Sequence, residues 1–324
     1  MCPIAFAKLT HFENTDVFCA FLRDFASMQS ISFFHTIFLV NNPICDTISV
    51  SKKLTYTVRA MIKLNPIHID KLWGYEKWVA STFGDGSQKE FFDKAGSLYP
   101  LVAKILQIDS VPSVKIHPDD FFVEHIEADE YHIGQTECWY ILDAKPDSRI
   151  VYGFNGEYSE KELRKAIEKG KLEKYFNYVN VVPGDFIYIP AGTVHCLGAG
   201  LRVLEIQQAC GFSYRMYDFN RGRELDVKKA LMVIKNGNSI PVYNYASGEF
   251  SCAYFTLLRY DVSGTQSVKA EKNWKLIFVV KSDKAVIIGP EKLIVLNEED
   301  VIALAPGELA QIKGDAQILE IQPA

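Results

Sequence analysis

Two histidines and one glutamate, in three separate segments of the chain, have the side chains that a metal site needs: His117, Glu137 and His195. Two imidazoles and one carboxylate leave coordination positions open, which is the arrangement of a catalytic rather than a structural metal site. Zinc is the first expectation for this set, and iron or manganese would also accept it. The three residues therefore predict a catalytic divalent metal.

His195 closes a segment with the spacing Gly184-x5-Pro190-x-Gly192-x2-His195. The glycines allow tight turns between strands, and Pro190 suits the end of a strand. His195 would then project inward from the returning strand, where an imidazole in a barrel mouth is a natural metal ligand. On this segment alone, a buried core histidine is the alternative interpretation.

A second segment, from Ser113 to His117, alternates polar and apolar residues. The side-chain period of a strand is two, so Ser113, Lys115 and His117 are expected on one face. The third segment carries Glu137 within a β-rich run. The sequence thus predicts that three strands bring these side chains together.

Short β-rich runs separated by turn residues dominate the chain from Leu98 onward, which is typical of a sandwich or barrel. Two helices interrupt them. Ser159-Glu-Lys-Glu162 has the pattern of a capping box and predicts a helical insert that Gly170 breaks. A second helix is predicted from Glu224 to Ile234, where it would link the two halves.

An internal repeat defines those halves. The run Asp185-Phe-Ile-Tyr-Ile-Pro-Ala-Gly192 returns as Asp300-Val-Ile-Ala-Leu-Ala-Pro-Gly307, and Leu-Glu-Ile-Gln follows both at the same distance. Two copies of strand, tight turn and strand predict two double-sheet jelly-roll barrels. Ala310 stands at the repeat position of His195, so only the first barrel is expected to bind metal.

The His195 segment matches the second sequence motif of the cupin superfamily, except that Ala199 replaces the usual Asn. From about Leu64 to the C-terminus, the chain resembles the low-molecular-weight bacterial class of type I phosphomannose isomerases. The landmarks that carry the resemblance are Lys71-Leu-Trp-Gly74, Pro100-Leu-Val-Ala-Lys104, Ser113 to Asp120, Thr136-Glu-Cys-Trp-Tyr140, Pro183-Gly-Asp185, the His195 motif and Tyr214-Arg-Met-Tyr-Asp218.

This resemblance implies a mainly β fold with two cupin-type jelly-roll barrels, a small helical insert and a linking helix. It also implies the interconversion of mannose 6-phosphate and fructose 6-phosphate, with one zinc per chain held by His117, Glu137 and His195. Arg215 would be the active-site arginine. Glu205 has the family spacing to Arg215, although its repeat partner Glu320 leaves a shared structural role open.

The substrate implied by the resemblance is a phosphate monoester, which requires cations and hydroxyls in its pocket. Ser113, Lys104 and Lys115 are the candidates for binding its phosphate or sugar oxygens. Many relatives have lysine immediately before the Thr-Glu pair, where this sequence has Gln135. A cation is therefore not expected at that position.

Moving a carbonyl from C1 to C2 requires a base that shuttles a proton through a cis-enediol. Glu205 and Lys115 are both candidates for this base. A metal and the fixed cation of Arg215 would stabilise the negative charge that develops on the substrate.

Two rival functions fit parts of the same pattern. Two histidines and one carboxylate also describe the iron site of a cupin oxygenase, but Arg215 and the set of Lys104, Ser113 and Lys115 argue against it. A non-catalytic cupin that binds sugar phosphate would keep the fold, but the intact metal set disfavours it.

Composition limits the partners and the location. A formal net charge of -5 gives no sign of a nucleic-acid surface, and no apolar run approaches the roughly 20 residues of a membrane span. Seven cysteines without framework spacing suit a reducing compartment, so cytoplasm is expected. We predict an N-terminal extension at 1–60, which is either a small domain or a stretch upstream of a native start at Met61, a catalytic metal-binding barrel with the helical insert at 61–222, a linking helix and linker at 223–249 and a barrel without metal ligands at 250–324.

Overall fold

The computed structural model describes residues 61–129, 131–235, 243–245 and 248–324; the predicted extension, residues 1–60, lies outside the described residues. The strands are β1 Ile62–Lys63, β2 Ile67–Lys71, β3 Gly74–Ala80, β4 Leu101–Ile108, β5 Val114–Ile116, β6 Glu137–Ala144, β7 Arg149–Phe154, β8 Phe176–Asn180, β9 Asp185–Ile189, β10 His195–Leu197, β11 Leu201–Gln208, β12 Tyr214–Tyr217, β13 Tyr243–Asn244, β14 Gly248–Ser251, β15 Phe255–Val262, β16 Thr265–Lys269, β17 Lys275–Ile288, β18 Leu293–Val295, β19 Val301–Leu304 and β20 Leu309–Pro323. The α-helices are α1 Lys89–Ala95, α2 Asp120–Phe122, α3 Glu160–Glu168 and α4 Val227–Val233, with 3-10 turns at Gly84–Gly86 and Leu172–Tyr175 and a π-helical turn at Val123–Glu127.

Two antiparallel sheets form the first barrel. The five-stranded sheet has the order β12-β5-β10-β7-β8, and the seven-stranded sheet has the order β13-β9-β6-β11-β4-β3-β2. Apolar side chains of both sheets pack together between them, such as Ile150 and Leu197 of the first and Leu106, Ile141 and Val203 of the second. The predicted double-sheet jelly roll is therefore confirmed.

Strand β11 shows that the seven-stranded sheet is buried on both faces. Val203 packs inside the first barrel, whereas Leu204 and Ile206 pack against the second barrel, where they share a core with Leu319 and Ile321. A sheet covered on both faces has nearly continuous apolar strands. Polar residues on its inward face must therefore find their partners inside the barrel.

A single eight-stranded sheet forms the second barrel, with the order β1-β19-β17-β20-β15-β14 and with β16 and β18 on β20 and β17. Its two longest strands, β17 and β20, have 14 and 15 residues. Ile277, Ile302 and Ile318 lie in its core. Strand β1 pairs with β19, so this short strand joins the second barrel although it precedes the first in the sequence.

The predicted repeat appears as two equivalent turns. Gly192 and Gly307 have φ angles of 89° and 84°, which glycine adopts without steric cost. The amide of Gly192 donates to the carbonyl of His117 at 2.8 Å, and that of Gly307 donates to the carbonyl of Ala270 at 2.7 Å. Ala270 therefore has the place in the second barrel that His117 has in the first.

The predicted helical insert is α3, which begins with a complete capping box. The hydroxyl of Ser159 accepts from the amide of Glu162 at 3.3 Å, and the carboxylate of Glu162 accepts from the amide of Ser159 at 2.9 Å. The buried face of α3 packs in one cluster with Val114 and Ile116 of β5. These two residues alternate with Lys115, so the insert covers the outer face of the strand whose inner face carries the candidate site residues.

The linking helix α4 packs in the same cluster, through Ala230 and Val233. It begins at Val227 rather than at the predicted Glu224, because Arg215 binds the residues before it. The side chain of Arg215 donates to the carbonyl of Glu224 at 2.8 Å, and the amide of Asp226 donates to the carbonyl of Arg215 at 2.9 Å. Across the described part of the chain, no helix has the combination of length and apolar composition that crossing a membrane requires.

Candidate metal centre

The first barrel encloses a cavity of about 330 Å³, and most of the residues predicted to form a site line it. Those that line it are Lys104, Ser113, Lys115, His117, Glu137, His195 and Glu205. The predicted alternation of Ser113, Lys115 and His117 places all three on the inward face of β5 and its ends. Arg215 is not among the lining residues.

His117, Glu137 and His195 converge inside this cavity. The Nε2 atom of His117 lies 3.6 Å from Oε2 of Glu137, and the Nε2 atom of His195 lies 3.4 Å from Oε1. The imidazole rings are stacked with centroids 4.9 Å apart. One potential ligand atom of each residue lies within 4.8 Å of the others, so a single ion could contact all three.

Backbone carbonyls orient both imidazoles. Nδ1 of His117 is 3.0 Å from the carbonyl oxygen of Phe212, and Nδ1 of His195 is 3.0 Å from that of Thr193. Each Nδ1 therefore carries the proton and donates it, which leaves the Nε2 lone pair directed at Glu137. This tautomer is the one in which a histidine binds metal through Nε2.

Burial keeps both rings neutral. It lowers the pKa of His195 to about 4, and it holds the pKa of His117 well below its usual range, with the neighbouring His195 adding to the effect. The contacts of the two rings with Glu137 are consequently not ion pairs. Neutral imidazoles are the form that coordinates a metal.

Among the three residues, Glu137 shows most clearly that the site fits a cation. It is 1% exposed, and its Oε1 atom has no hydrogen-bond partner within the described residues. Burial and the nearby Glu205 raise the pKa of Glu137 to about 8, although a hydrogen bond from Gln135 acts in the opposite direction. A buried carboxylate with an unsatisfied oxygen is costly, and a cation between it and two Nε2 atoms would remove that cost.

Gln135 belongs to this centre, although the sequence did not predict it as a site residue. Its Nε2 atom donates to Oε2 of Glu137 at 2.7 Å and lies 3.1 Å from Nε2 of His117. The spacing of two residues between Gln135 and Glu137 was the available signal. Strand periodicity does not include Gln135, because it lies before Glu137, the first residue of β6.

Lys104 and Glu205 form a buried ion pair beside the metal set. Nζ of Lys104 lies 3.2 Å from Oε1 of Glu205 and donates to Gln207 at 2.5 Å. Nε1 of Trp139 donates to the other oxygen of Glu205 at 3.1 Å. Both carboxylate oxygens of Glu205 are thus occupied, and the ammonium of Lys104 is already neutralised by a protein group.

Lys115 differs from Lys104 because it has no such partner. Its side chain faces the cavity, and no hydrogen bond or ion pair joins its Nζ to any residue in the described ranges. Burial lowers the pKa of Lys115, and the opposing attraction of Glu205 does not fully offset this. It is therefore an amine held inside the site without a fixed partner.

Arg215 lies on β12, directly opposite Lys115 of β5, and is not among the residues that line the cavity. Its Nε donates to the hydroxyl of Ser113 at 3.0 Å, and Ser113 donates to Asp218 at 2.8 Å. Burial would raise the pKa of Asp218, but Arg223, Ser113 and Arg221 outweigh it and hold this pKa well below its usual range. Arg215 thus reaches the cavity only through Ser113.

No family model matches the sequence. Over 231 residues, the chain is 36% identical to the mannose-6-phosphate isomerase ManA of Bacillus subtilis. The aligned region covers 66% of this chain and 72% of that protein. Over 244 residues, the chain is 30% identical to the mannose-6-phosphate isomerase of Streptococcus mutans. That aligned region covers 71% of this chain and 76% of that protein.

Solved structures agree with the fold. The mannose 6-phosphate isomerase of Bacillus subtilis superposes with a TM-score of 0.68 at 25% identity, over 81% of this chain and 99% of that chain. A mannose 6-phosphate isomerase bound with zinc and yttrium superposes with a TM-score of 0.60 at 13% identity, over 81% of this chain and 99% of that chain. The second likeness supports the fold alone.

Proposed function

The chain belongs to the mannose-6-phosphate isomerase family and is an isomerase, and from this premise we propose that it interconverts mannose 6-phosphate and fructose 6-phosphate in a zinc-dependent reaction. The proton would move between C2 and C1 through a cis-enediol. We further propose that the first barrel, 61–222, carries the reaction, that 223–249 links the barrels, and that 250–324 binds no metal.

The single observation that carries the proposed cofactor is the unsatisfied Oε1 atom of buried Glu137, which lies between two Nε2 lone pairs. His117, Glu137 and His195 would hold one zinc, because neutral imidazoles and a carboxylate are ordinary zinc ligands. When bound, the ion would supply Lewis-acid polarisation of the substrate carbonyl.

Of the two candidate bases, the geometry favours Lys115 over Glu205. Each carboxylate oxygen of Glu205 already accepts a hydrogen bond, one from Lys104 and the other from Trp139, and these bonds hold the group in place. Lys115 lines the same cavity with an amine that has no partner among the described residues. We propose that Lys115 moves the proton and that Glu205 positions Lys104.

Lys104 and Ser113 are proposed to bind substrate oxygens, because both line the cavity and both are donors. Arg215 would act through Ser113, whose hydroxyl it contacts. Its positive charge would then favour the anionic state of the bound substrate without direct contact.

A metal analysis combined with two activity assays tests the proposal. Purified protein should contain one zinc per chain and should form fructose 6-phosphate from mannose 6-phosphate. Iron content with oxygen uptake and no ketose would instead support a cupin oxygenase. Binding of mannose 6-phosphate without turnover by the zinc-loaded protein would support a non-catalytic cupin.

A further inference from the structure

The side-chain amide of Gln135 contacts two of the three candidate metal ligands. Its nitrogen is 2.7 Å from Oε2 of Glu137 and 3.1 Å from Nε2 of His117. The residue is 5% exposed, and its backbone amide donates to the carbonyl of Pro118 at 2.9 Å, which fixes its main chain. The backbone of Gln135 is therefore fixed beside these ligands, and among the described residues its side-chain amide makes only these two hydrogen bonds.

The amide protons use the same lone pairs that a metal would use. Nδ1 of His117 donates to Phe212, so Nε2 must be the acceptor of the Gln135 amide. A cation bound by His117 and Glu137 would displace both hydrogen bonds. It would also face the positive hydrogens of the amide, which repel it. Gln135 cannot keep its present orientation once the metal is bound.

The oxygen of the same amide, Oε1, would not repel a cation. Among the described residues, nothing donates a hydrogen bond to Oε1 of Gln135, and the side chain lines the cavity. The oxygen and nitrogen of an amide have nearly the same shape, so a half-turn of the amide exchanges them without repacking. The half-turn would direct the carbonyl oxygen toward the cation and the amino group toward the cavity.

We propose that Gln135 is a fourth protein ligand of the metal and binds it through Oε1 after this half-turn. The inference rests on the proposed function, since it requires a metal at His117, Glu137 and His195. Amide oxygens are known ligands of divalent cations, and zinc accepts a fifth ligand in catalysis.

Zinc affinity of substituted proteins, measured by competition with a chromophoric chelator, tests the role of the oxygen. Gln135→Leu removes the oxygen and should weaken zinc binding by about 10- to 100-fold. Gln135→Glu keeps an oxygen and removes the donor, so its affinity should stay within tenfold of wild type or increase. Gln135→Lys should behave like Gln135→Leu, because an ammonium has no lone pair to offer.

Gln207→Leu is the matched control, because Gln207 lines the same cavity and its side chain contacts Lys104 and backbone carbonyls instead of the metal set. Its zinc affinity should equal that of wild type. If Gln135→Glu lost as much affinity as Gln135→Leu, Gln135 would act as a donor to Glu137, and the proposal would be wrong. Unchanged affinity in Gln135→Leu would also overturn it.

A crystal structure of the zinc-loaded wild type separates this inference from the proposed function. We expect zinc at the three ligands with Oε1 of Gln135 about 2.0 to 2.2 Å from it. Zinc at the three ligands, with the amino group of Gln135 still donating to Glu137, would refute the fourth ligand and leave the isomerase proposal intact. Absence of zinc from the three ligands would refute both.

Discussion

Lys275 in the second barrel occupies the position that Glu137 has in the first. Glu137 of β6 pairs with Ile189 of β9, and Lys275 of β17 pairs with Leu304 of β19. Ile189 and Leu304 are equivalent in the repeat, so the two strands align. The carboxylate of the candidate metal centre is thus replaced by an ammonium in the other copy.

The remaining members of the centre are replaced by small residues, since Ala270 and Ala310 correspond to His117 and His195. The ammonium of Lys275 lies 2.6 Å from Glu320, and the hydroxyl of Tyr260 donates to the same carboxylate at 2.6 Å. In the second barrel, the ammonium of Lys275 therefore supplies a positive charge in the region that corresponds to the candidate metal centre of the first. Glu320 has a structural role there, as the repeat suggested.

Removing this internal cation should destabilise the protein. Lys275→Met leaves the carboxylate of Glu320 without its ion pair, and losing one partner of a mostly buried pair costs about 3 kcal/mol. Urea unfolding of the variant should show this loss, with zinc content unchanged. The control is Lys269→Met, whose exposed pair with Glu271 should contribute about 1 kcal/mol or less. Equal stabilities of the two variants would contradict the account.

The carboxylate of Asp218 should make stability depend on pH. Its pKa is held well below the usual range, chiefly by Arg223, Ser113 and Arg221 against the effect of burial. A depressed folded-state pKa gives stability that is present above the unfolded value of about 4 and is lost as pH falls below it. Asp218→Asn should therefore cost about 2 kcal/mol at pH 7 and progressively less below pH 4.

The prediction is tested by measuring the unfolding free energies of wild type and Asp218→Asn between pH 7 and pH 3. The difference between the two proteins should become smaller as the pH falls. Asp93→Asn is the control, because Asp93 and its partner Lys89 are both exposed. That variant should stay close to wild type at every pH. A constant difference between wild type and Asp218→Asn across the range would show that the carboxylate is not responsible.

Substitution of Lys115 tests the proposed base. Lys115→Met should lower kcat by about 10²- to 10⁴-fold, the usual contribution of a general base, with zinc content retained. Lys115→Arg keeps the positive charge but cannot release a proton at working pH, so its kcat should fall similarly. Glu205→Gln should lose less kcat than either. All kcat values are measured in the coupled isomerase assay. A larger loss of kcat in Glu205→Gln than in the two Lys115 variants would assign the base to Glu205.

Much of the metal set could be predicted because its determinants are local. The period of a strand placed Ser113, Lys115 and His117 on one face, and turn glycines set the direction of His195. The capping box at Ser159 likewise fixed the start of α3 from adjacent residues. Such features depend on neighbours in the sequence and need no knowledge of distant contacts.

The partners of Lys104 and Arg215 could not be predicted in this way. They depend on contacts between residues that are distant in the sequence, and the sequence does not show which distant residues meet. Lys104 was predicted to bind substrate oxygens, but its pairing with Glu205 and Gln207 arises only when β4 and β11 lie side by side. The sequence also predicts Arg215 in the active site, and its contacts with Ser113 and with the carbonyl of Glu224 likewise join residues that are far apart in the sequence or lie outside its own strand. Their roles in the reaction remain predictions.

Zinc content and mannose 6-phosphate turnover, measured on the same preparations of wild type and His195→Ala, test the central claim most directly. The substitution reproduces Ala310 of the second barrel, and His68→Ala, at an exposed histidine paired with Asp70, is the control. We predict one zinc and full turnover in wild type and the control, and in His195→Ala a folded protein with little zinc and activity lower by several orders of magnitude. Full turnover by His195→Ala, or by wild type without a metal, would contradict the account.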